Sequence, residues 1–323
     1  MEDQSTFESQ YRRLGGSVNE LHDGQRIDQY LANNFKFLTR SGWQKRISLG
    51  EVLVNRSTPK ISYKLRPGDE VLFFHPLTAE PNVDKGIRVL WQDGPVMAIY
   101  KPSGLPMHEN GAYRKNTFAH LVSSTIGPEW SAVHRLDRET SGIVLCGCEH
   151  AVRKKLADDF EAKRIEKEYL LIVKGIPREI QWTCQGPLGD LLESQIRIKK
   201  WVVEGGLPSL TDFFVESTTR SGHALVRAYP KTGRTNQIRI HAAYSGHWIL
   251  GDKLYHPNEE VFLEYWKTGR TTDFILGETG FHRLCLHAAS LSFLHPSSNK
   301  RVRIESPLPE DMQDLWISLS DTE

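Results

Sequence analysis

Val133-His134-Arg135-Leu136-Asp137-Arg138-Glu139-Thr140-Ser141-Gly142 runs straight into Ile143-Val144-Leu145-Cys146-Gly147-Cys148, a charged loop that empties into an apolar strand. Asp137 sits between two arginines at the mouth of that strand. Nearby cations keep such a carboxylate ionised and available as a nucleophile. The plainer reading of the same charges is a loop salt bridge, which is the commoner occurrence. Cys146 and Cys148 fall two apart, on one face of the strand, which packing alone explains.

Working outward, Ile87–Asp93 and Pro95–Pro102 flank Asp93-Gly94, a two-residue hairpin signal. Downstream, EYLLIVKG (168–175), ALVRAYP (224–230), NQIRIHAA (236–243) and LHAASLSF (286–293) read as strands. Helical spacing separates them in NTFAHLVSSTI (116–126) and in AVRKKLADDFEA (151–162), where Val152, Leu156 and Phe160 recur every four residues. Residues 87–323 are therefore expected to form an α+β domain, a mixed and mainly antiparallel sheet with flanking helices. Residues 257–280 read as an irregular, aromatic-bearing insertion with no assigned role.

Upstream the texture differs. Residues 1–21 are polar and aperiodic and read as a mobile lead-in. RIDQYLANNF (26–35) and TRSGWQKRISLG (39–50) have helical spacing, with Thr39 or Ser41 as N-cap and Gly50 as stop. Two short apolar runs follow, EVLVNRS and DEVLFFH, with a turn at Pro67-Gly68-Asp69. Residues 22–75 are thus a small α/β module, and residues 76–86, with two prolines, a linker. The module resembles the RNA-binding domain first known from a small-subunit ribosomal protein, through Arg26-Ile27-Asp28, Leu31, Arg40-Ser41, Gln44, Ile47, Gly50, Val52, Val54-Asn55 and Pro67-Gly68-Asp69. Arg40, Lys45 and Arg46 are expected to cluster at one end of its second helix and meet phosphates. A merely solvated basic surface is the alternative.

The chain has 323 residues, enough for two domains, and its 41 Lys plus Arg against 40 Asp plus Glu give a net charge of +1. Any nucleic-acid footprint must be local. The window between Glu216 and Asp252 supplies one: it holds Arg220, Arg227, Lys231, Arg234 and Arg239 and no acid. The four cysteines form no metal-binding or disulfide pattern. No secretory signal or bilayer-length apolar run is present, so a cytoplasmic protein is expected.

HRLDRETSG resembles the signature of the RluA family of pseudouridine synthases, and the family's other motifs follow in order. KPSGLPMH (101–108) resembles the first, with Lys101 facing RNA. Lys167-Glu168-Tyr169 resembles the third, whose tyrosine packs on the target base and serves as general base. KTGRTNQIRIH (231–241) resembles the GRT-x-Q-x-R-x-H motif, with Arg234 toward RNA and Arg239 as the basic partner of the catalytic aspartate. Asn236 departs from that motif, standing where many members have histidine. Leu284-Cys285-Leu286-His287-Ala288 resembles the last, with Leu286 lining the base pocket.

By this resemblance Asp137, Tyr169 and Arg239 are catalytic, and Arg135 fills the gap left by an extruded base. Two parallel hydrogen bonds from Arg239 would hold Asp137. The implied activity is conversion of uridine to pseudouridine in folded RNA, by a monomer needing no metal or organic cofactor. Large-subunit ribosomal RNA is the first expected substrate and transfer RNA the second. Two other classes fit the residues less well. A binding-only assembly factor would not need the Asp137, Tyr169 and Arg239 set. A glycoside hydrolase needs a second catalytic carboxylate that no motif supplies.

Overall fold

A computed structural model describes residues 11–13, 17–35, 38–74 and 80–321. The chain divides into two compact units, residues 1–79 and 80–323. The first contains β1 (Tyr11–Arg13), α1 (Ile27–Asn34), α2 (Arg40–Ser48), β2 (Val52–Val54) and β3 (Val71–Phe74), the strands forming an antiparallel sheet in the order β1-β3-β2. Ile27 and Leu31 on one helix and Trp43 and Ile47 on the other, each pair one turn apart, close over Val52, Leu65 and Val71. Thr39 Oγ1 accepts the Gly42 N–H as N-cap, and Gly50 takes the left-handed conformation (φ +74°) that ends the helix.

The lead-in expected over residues 1–21 lies partly outside the described residues, and the rest corrects it. Tyr11–Arg13 pair with β3, and Val18 is buried in this unit's core. A three-residue edge strand and one isolated valine leave no period to read. The basic cluster is corrected as well. Arg40 opens α2 while Lys45 and Arg46 lie in its last turn, so they stand at opposite ends of the helix. Arg40 is drawn to the buried Asp28 (2.9 Å) and Arg46 to Glu51 (2.7 Å). Lys45 alone of the three is exposed with no ion pair among the described residues.

The second unit contains β4 (Arg88–Asp93), β5 (Val96–Lys101), α3 (Phe118–Thr125), β6 (Ser131–Ala132), β7 (Ser141–Gly147), α4 (His150–Glu161), β8 (Glu166–Lys174), β9 (Gln181–Cys184), β10 (Leu188–Asp190), β11 (Lys200–Val202), β12 (Thr211–Thr218), β13 (His223–Pro230), α5 (Gln237–Tyr244), α6 (Glu260–Thr268), α7 (Asp273–Thr279), β14 (Leu286–Leu294), β15 (Arg301–Glu305) and α8 (Glu310–Ser320). Ten strands form one sheet, in the order β4-β5-β7-β14-β8-β13-β12-β9, with β15 added to β14 and β6 to β7. β10 and β11 form a separate hairpin.

Only the β7–β14 join is parallel among the described pairings, and it places Ser141 beside His287 and Gly142 beside Ala288. Gly142 has φ +121°, and a Cβ there would lie 2.3 Å from the Ala288 carbonyl oxygen, so no other residue fits. On its other edge Ala288 pairs with Tyr169 of β8. The charged loop before β7, the tyrosine of β8 and the start of β14 are thereby fixed side by side.

Three expectations are corrected here. NQIRIHAA is helix α5, not a strand. Its Ile238 and Ile240 mimic a period of two, but Gln237, His241 and Ala242 are buried as well, and neighbours such as Gln237 and Ile238 share a helix face where a strand would part them. Residues 257–280 are not irregular. They hold α6 and α7, each stopped by a left-handed glycine, Gly269 and Gly280; the aromatic residues Phe262, Tyr265 and Trp266 fall three and four apart, the spacing of one helix face, and Phe262 stacks on Trp266. The linker's second half belongs to this unit: the Glu80 carboxylate accepts the N–H groups of Lys115 and Asn116, and Val83 packs on the core. Among the described residues, no helix is long and apolar enough to cross a membrane and no His, Cys, Asp and Glu cluster could hold a metal.

Candidate active site

A cavity of about 580 Å³ opens where the charged loop, the start of β8, the end of β13, the first turn of α5 and Leu286 meet. Asp137, Tyr169, Arg239, Arg135, Arg234 and Leu286 all line it. Lys101 does not. Expected to face RNA, it is wholly buried, and its Nζ donates to the carbonyls of Pro102 (2.9 Å), Leu105 (2.8 Å) and Arg138 (3.0 Å). Those three bonds use all three ammonium protons and bolt the KPSGL turn to the loop carrying Asp137. Burial pulls its pKa down to about 7, against the opposing charge of Asp137. Ser103 Oγ and the Gly104 N–H add bonds to the carbonyls of Glu139 and Arg138.

Asp137 Oδ2 lies 3.6 Å from Arg239 Nη1. The two parallel hydrogen bonds expected here go elsewhere. Arg239 Nε and Nη2 donate to Asp252, at 2.8 and 2.7 Å, while Nη1 donates to Asn236 Oδ1 at 3.0 Å. Asp252 is itself held by the N–H groups of Leu254 and Tyr255, and the Tyr255 ring lies 5.0 Å from the guanidinium. Burial works against the charged forms of both partners. Their mutual attraction outweighs it, lowering the pKa of Asp252 and, with help from Asp137, raising that of Arg239. Arg239 is thus a rigid, permanently charged post, and Asp137 touches it without being clamped.

The buried polar residues of the KTGRTNQIRIH stretch build this post. Gln237 is fully satisfied: its oxygen accepts from Thr232 Oγ1 (2.7 Å) and the Arg234 N–H (3.0 Å), and its nitrogen donates to Leu210 O and Thr211 Oγ1, both at 2.9 Å. His241, kept neutral chiefly by burial, spans Thr211 Oγ1 (2.8 Å) and Gly186 O (3.0 Å). Asn236 adopts the left-handed conformation (φ +57°) that asparagine tolerates, which turns its side chain between Arg239 and the Tyr255 hydroxyl.

Tyr169 and Leu286 give the cavity apolar walls. Burial, and then the charge of Asp137, raise the tyrosine's pKa, so its phenol is protonated at neutral pH. His134 accepts the Leu145 N–H, and burial holds it neutral with a pKa of about 3. Around the mouth stand Arg135, Lys163, Lys167 and Arg234, with Glu161 the sole acid besides Asp137 in the lining. The basic window is less free than its composition suggested. Arg227 is paired with Glu168 and Glu216, and Lys231 reaches Asp212 at 3.4 Å.

Sequence reading missed Asp252 and Lys253, the latter drawn to Glu139 at 3.3 Å. The preceding glycine was the available signal. Gly251 has φ +75°, and a Cβ there would sit 1.7 Å from the Arg283 carbonyl oxygen, so the turn that aims Asp252 at Arg239 and Lys253 at Glu139 demands glycine.

Comparison with known proteins identifies the family. Residues 95–244 match the family described as RNA pseudouridylate synthase, and residues 25–71 match the S4 domain. The ribosomal large subunit pseudouridine synthase C of Escherichia coli (strain K12) is 34% identical over 305 residues, covering 90% of this chain and 91% of that protein. Its namesake from Haemophilus influenzae is 31% identical over 325 residues, covering 95% of each. Human RNA pseudouridylate synthase domain containing 4 shares the fold, with a TM-score of 0.57 at 22% identity over 72% of this chain and 92% of that one. Human RNA pseudouridylate synthase domain containing 1 gives 0.56 at 21% identity over 75% and 98%. Enzymes of this kind isomerise uridine to pseudouridine within RNA. A match that runs from the first hairpin of the sheet through α5, and relatives alike from end to end, make this chain a member of the RNA pseudouridylate synthase family.

Proposed function

We propose that the chain isomerises uridines of large-subunit ribosomal RNA, with Asp137 as the catalytic carboxylate, Arg239 as its partner and Tyr169 against the base. The observation that carries the assignment is the contact of Asp137 with a guanidinium that two other side chains hold rigid. The names of the full-length relatives and the S4 match support the choice of RNA. Action as a monomer is part of the same proposal. With no membrane-crossing helix among the described residues, the cytoplasm is the proposed location.

The reaction breaks the bond from N1 of uracil to C1′ of ribose, turns the base and makes a bond from C5 to C1′. The proton leaving C5 is matched by one arriving at N1, so no electrons and no cofactor are required. Asp137 assists departure of the base from its place beside the Arg239 guanidinium. A resting phenol cannot begin as a base. Tyr169 instead donates its proton to the departing uracil anion, and as phenolate takes the proton from C5 once the new bond forms. Leu286 and Tyr169 hold the turning base between an aliphatic and an aromatic face. Extruding the base costs a few kcal/mol, and Arg135 fills the space it vacates.

The test is to map pseudouridines in total RNA with and without the gene, then add purified Asp137→Asn and wild-type protein to the RNA that changed. Loss of sites in large-subunit ribosomal RNA, restored by wild type and not by Asp137→Asn, is expected. Losses confined to transfer RNA would overturn the substrate, and an active Asp137→Asn would overturn the mechanism.

A further inference from the structure

Strand alternation along β8 puts Lys167 and Tyr169 on one face and Glu168 on the other. The structure follows it. Glu168 is buried on the far face, in a network with Arg227, Tyr229 and Arg303, while Lys167 and Tyr169 both line the cavity. Lys167 is half-buried, yet has no carboxylate partner among the described residues. Among the described residues its ammonium makes one hydrogen bond, to the Thr232 carbonyl at 3.3 Å. Its charged neighbour is another cation, Lys163, and burial together with Lys163 lowers the Lys167 pKa. An ammonium drawn partly out of water beside a like charge is a costly arrangement unless an anion completes it. Lys163 takes a left-handed backbone (φ +59°) directly after α4 and stands exposed at the same mouth.

We propose that Lys167, with Lys163 beside it, seats a backbone phosphate adjoining the target uridine, fixing the nucleotide by its phosphate while Tyr169 holds its base. Two residues along a strand span roughly 6.7 Å, the scale on which a nucleotide's phosphate stands off from its base. Gly233 stands beside Lys167, a Cβ built there lying 3.8 Å from Nζ, an ordinary contact. Arg135 and Arg234 are exposed and able to follow the RNA wherever it lies; Lys167, packed into the wall, reads one fixed position. The assignment rests on the proposed isomerisation of uridine in RNA.

The test uses the full chain, Lys167→Met and a set of substrate RNAs in which each phosphate near the target uridine is replaced in turn by a neutral methylphosphonate. With wild type, one replacement is expected to weaken binding about tenfold, as loss of a charge-assisted contact does. Lys167→Met is expected to bind the unmodified RNA about tenfold more weakly, to suffer little further from that same replacement, and to keep its single-turnover rate at saturating RNA within about threefold. Lys167→Arg should restore most of the affinity. Equal penalties in wild type and Lys167→Met at every replaced phosphate would overturn the seat, as would an unchanged affinity for unmodified RNA. If Lys167→Met does not fold, exposed Lys163→Met stands in, and its penalty must fall on the same phosphate or the seat is refuted. Should wild type make no pseudouridine in the unmodified RNA, the proposed function fails instead.

Discussion

Arg239 offers its forked face to Asp252, at 2.7 and 2.8 Å, and only a single nitrogen to Asp137. The division has a physical purpose. On the proposed mechanism, a catalytic carboxylate locked by two hydrogen bonds would have to break them to reach substrate, whereas one resting against a rigid cation keeps its freedom. Asp252 is nearly inaccessible and satisfied by two backbone N–H groups as well, so the pair behaves as one fixed object in the cavity wall.

Arg239→Met should therefore fail in two separable ways. Activity should fall by at least about a hundredfold, as electrostatic contacts in active sites do. Stability should fall by about 3–5 kcal/mol, because Asp252 is left buried and uncompensated. Adding Asp252→Leu should recover most of the stability and none of the activity. Denaturant unfolding and pseudouridine formation, measured on the same samples, check both halves; a double variant that regained activity would remove Arg239 from the chemistry.

Asn236 carries the one visible departure from the family's GRT-x-Q pattern, and its geometry explains the residue. It accepts from Arg239 and donates to Tyr255 while sitting at φ +57°, a conformation histidine also tolerates. Asn236→Ala should lower kcat about tenfold and leave KM nearly unchanged, since the guanidinium would lose a brace rather than a ligand contact. Asn236→His should stay within a few-fold of wild type above pH 7. It should then lose activity below roughly pH 6.5, where an ordinary imidazole protonates and no longer accepts from Arg239. A flat profile through that range would show that the acceptor role is immaterial.

Lys101 was legible as part of a motif but not as a buried post, and the two readings predict different losses. As an RNA contact, its removal would weaken binding and lessen the salt dependence. As the donor to three carbonyls, its replacement by methionine leaves those oxygens unmet in a site closed to water. Lys101→Met should therefore cost about 3 kcal/mol or more of stability while the salt slope of RNA binding stays as in wild type. A lowered slope with unchanged stability would restore the surface reading.

The contrast shows what a single sequence reveals. Two kinds of element were legible from the chain itself: β7 as an unbroken apolar run, buried at every position, and α4 through burial that recurs at helical spacing in Val152 and Leu156. The site's central aspartate, tyrosine and arginine were legible by motif. What stayed hidden depends on contacts between distant residues: Asp252 reaching back to Arg239, Lys101 turned inward, and the exposed Arg40 paired with the buried Asp28. NQIRIHAA failed for a different reason. Over eight residues, two isoleucines two apart satisfy a strand template as well as a helix, and only the burial of Gln237 and His241 decides between them.

Asp28 makes the small unit sensitive to acid. Burial alone would raise its pKa, but hydrogen bonds from Arg26, Gln44 and Arg40 outweigh burial and bring it down to about 2. A carboxylate depressed in the fold stabilises it above its unfolded pKa of about 3.9, and that contribution is lost as pH falls through the folded value. Asp28→Asn should thus destabilise the small unit by on the order of 1–2 kcal/mol at pH 7, and the gap from wild type should shrink between pH 4 and about 2. Hydrogen exchange of the amides in α1 and α2, followed across that range in both proteins, reads the effect where it arises. A gap that stayed constant down to pH 2 would mean that the carboxylate's charge contributes nothing there and that its hydrogen bonds serve equally well when uncharged.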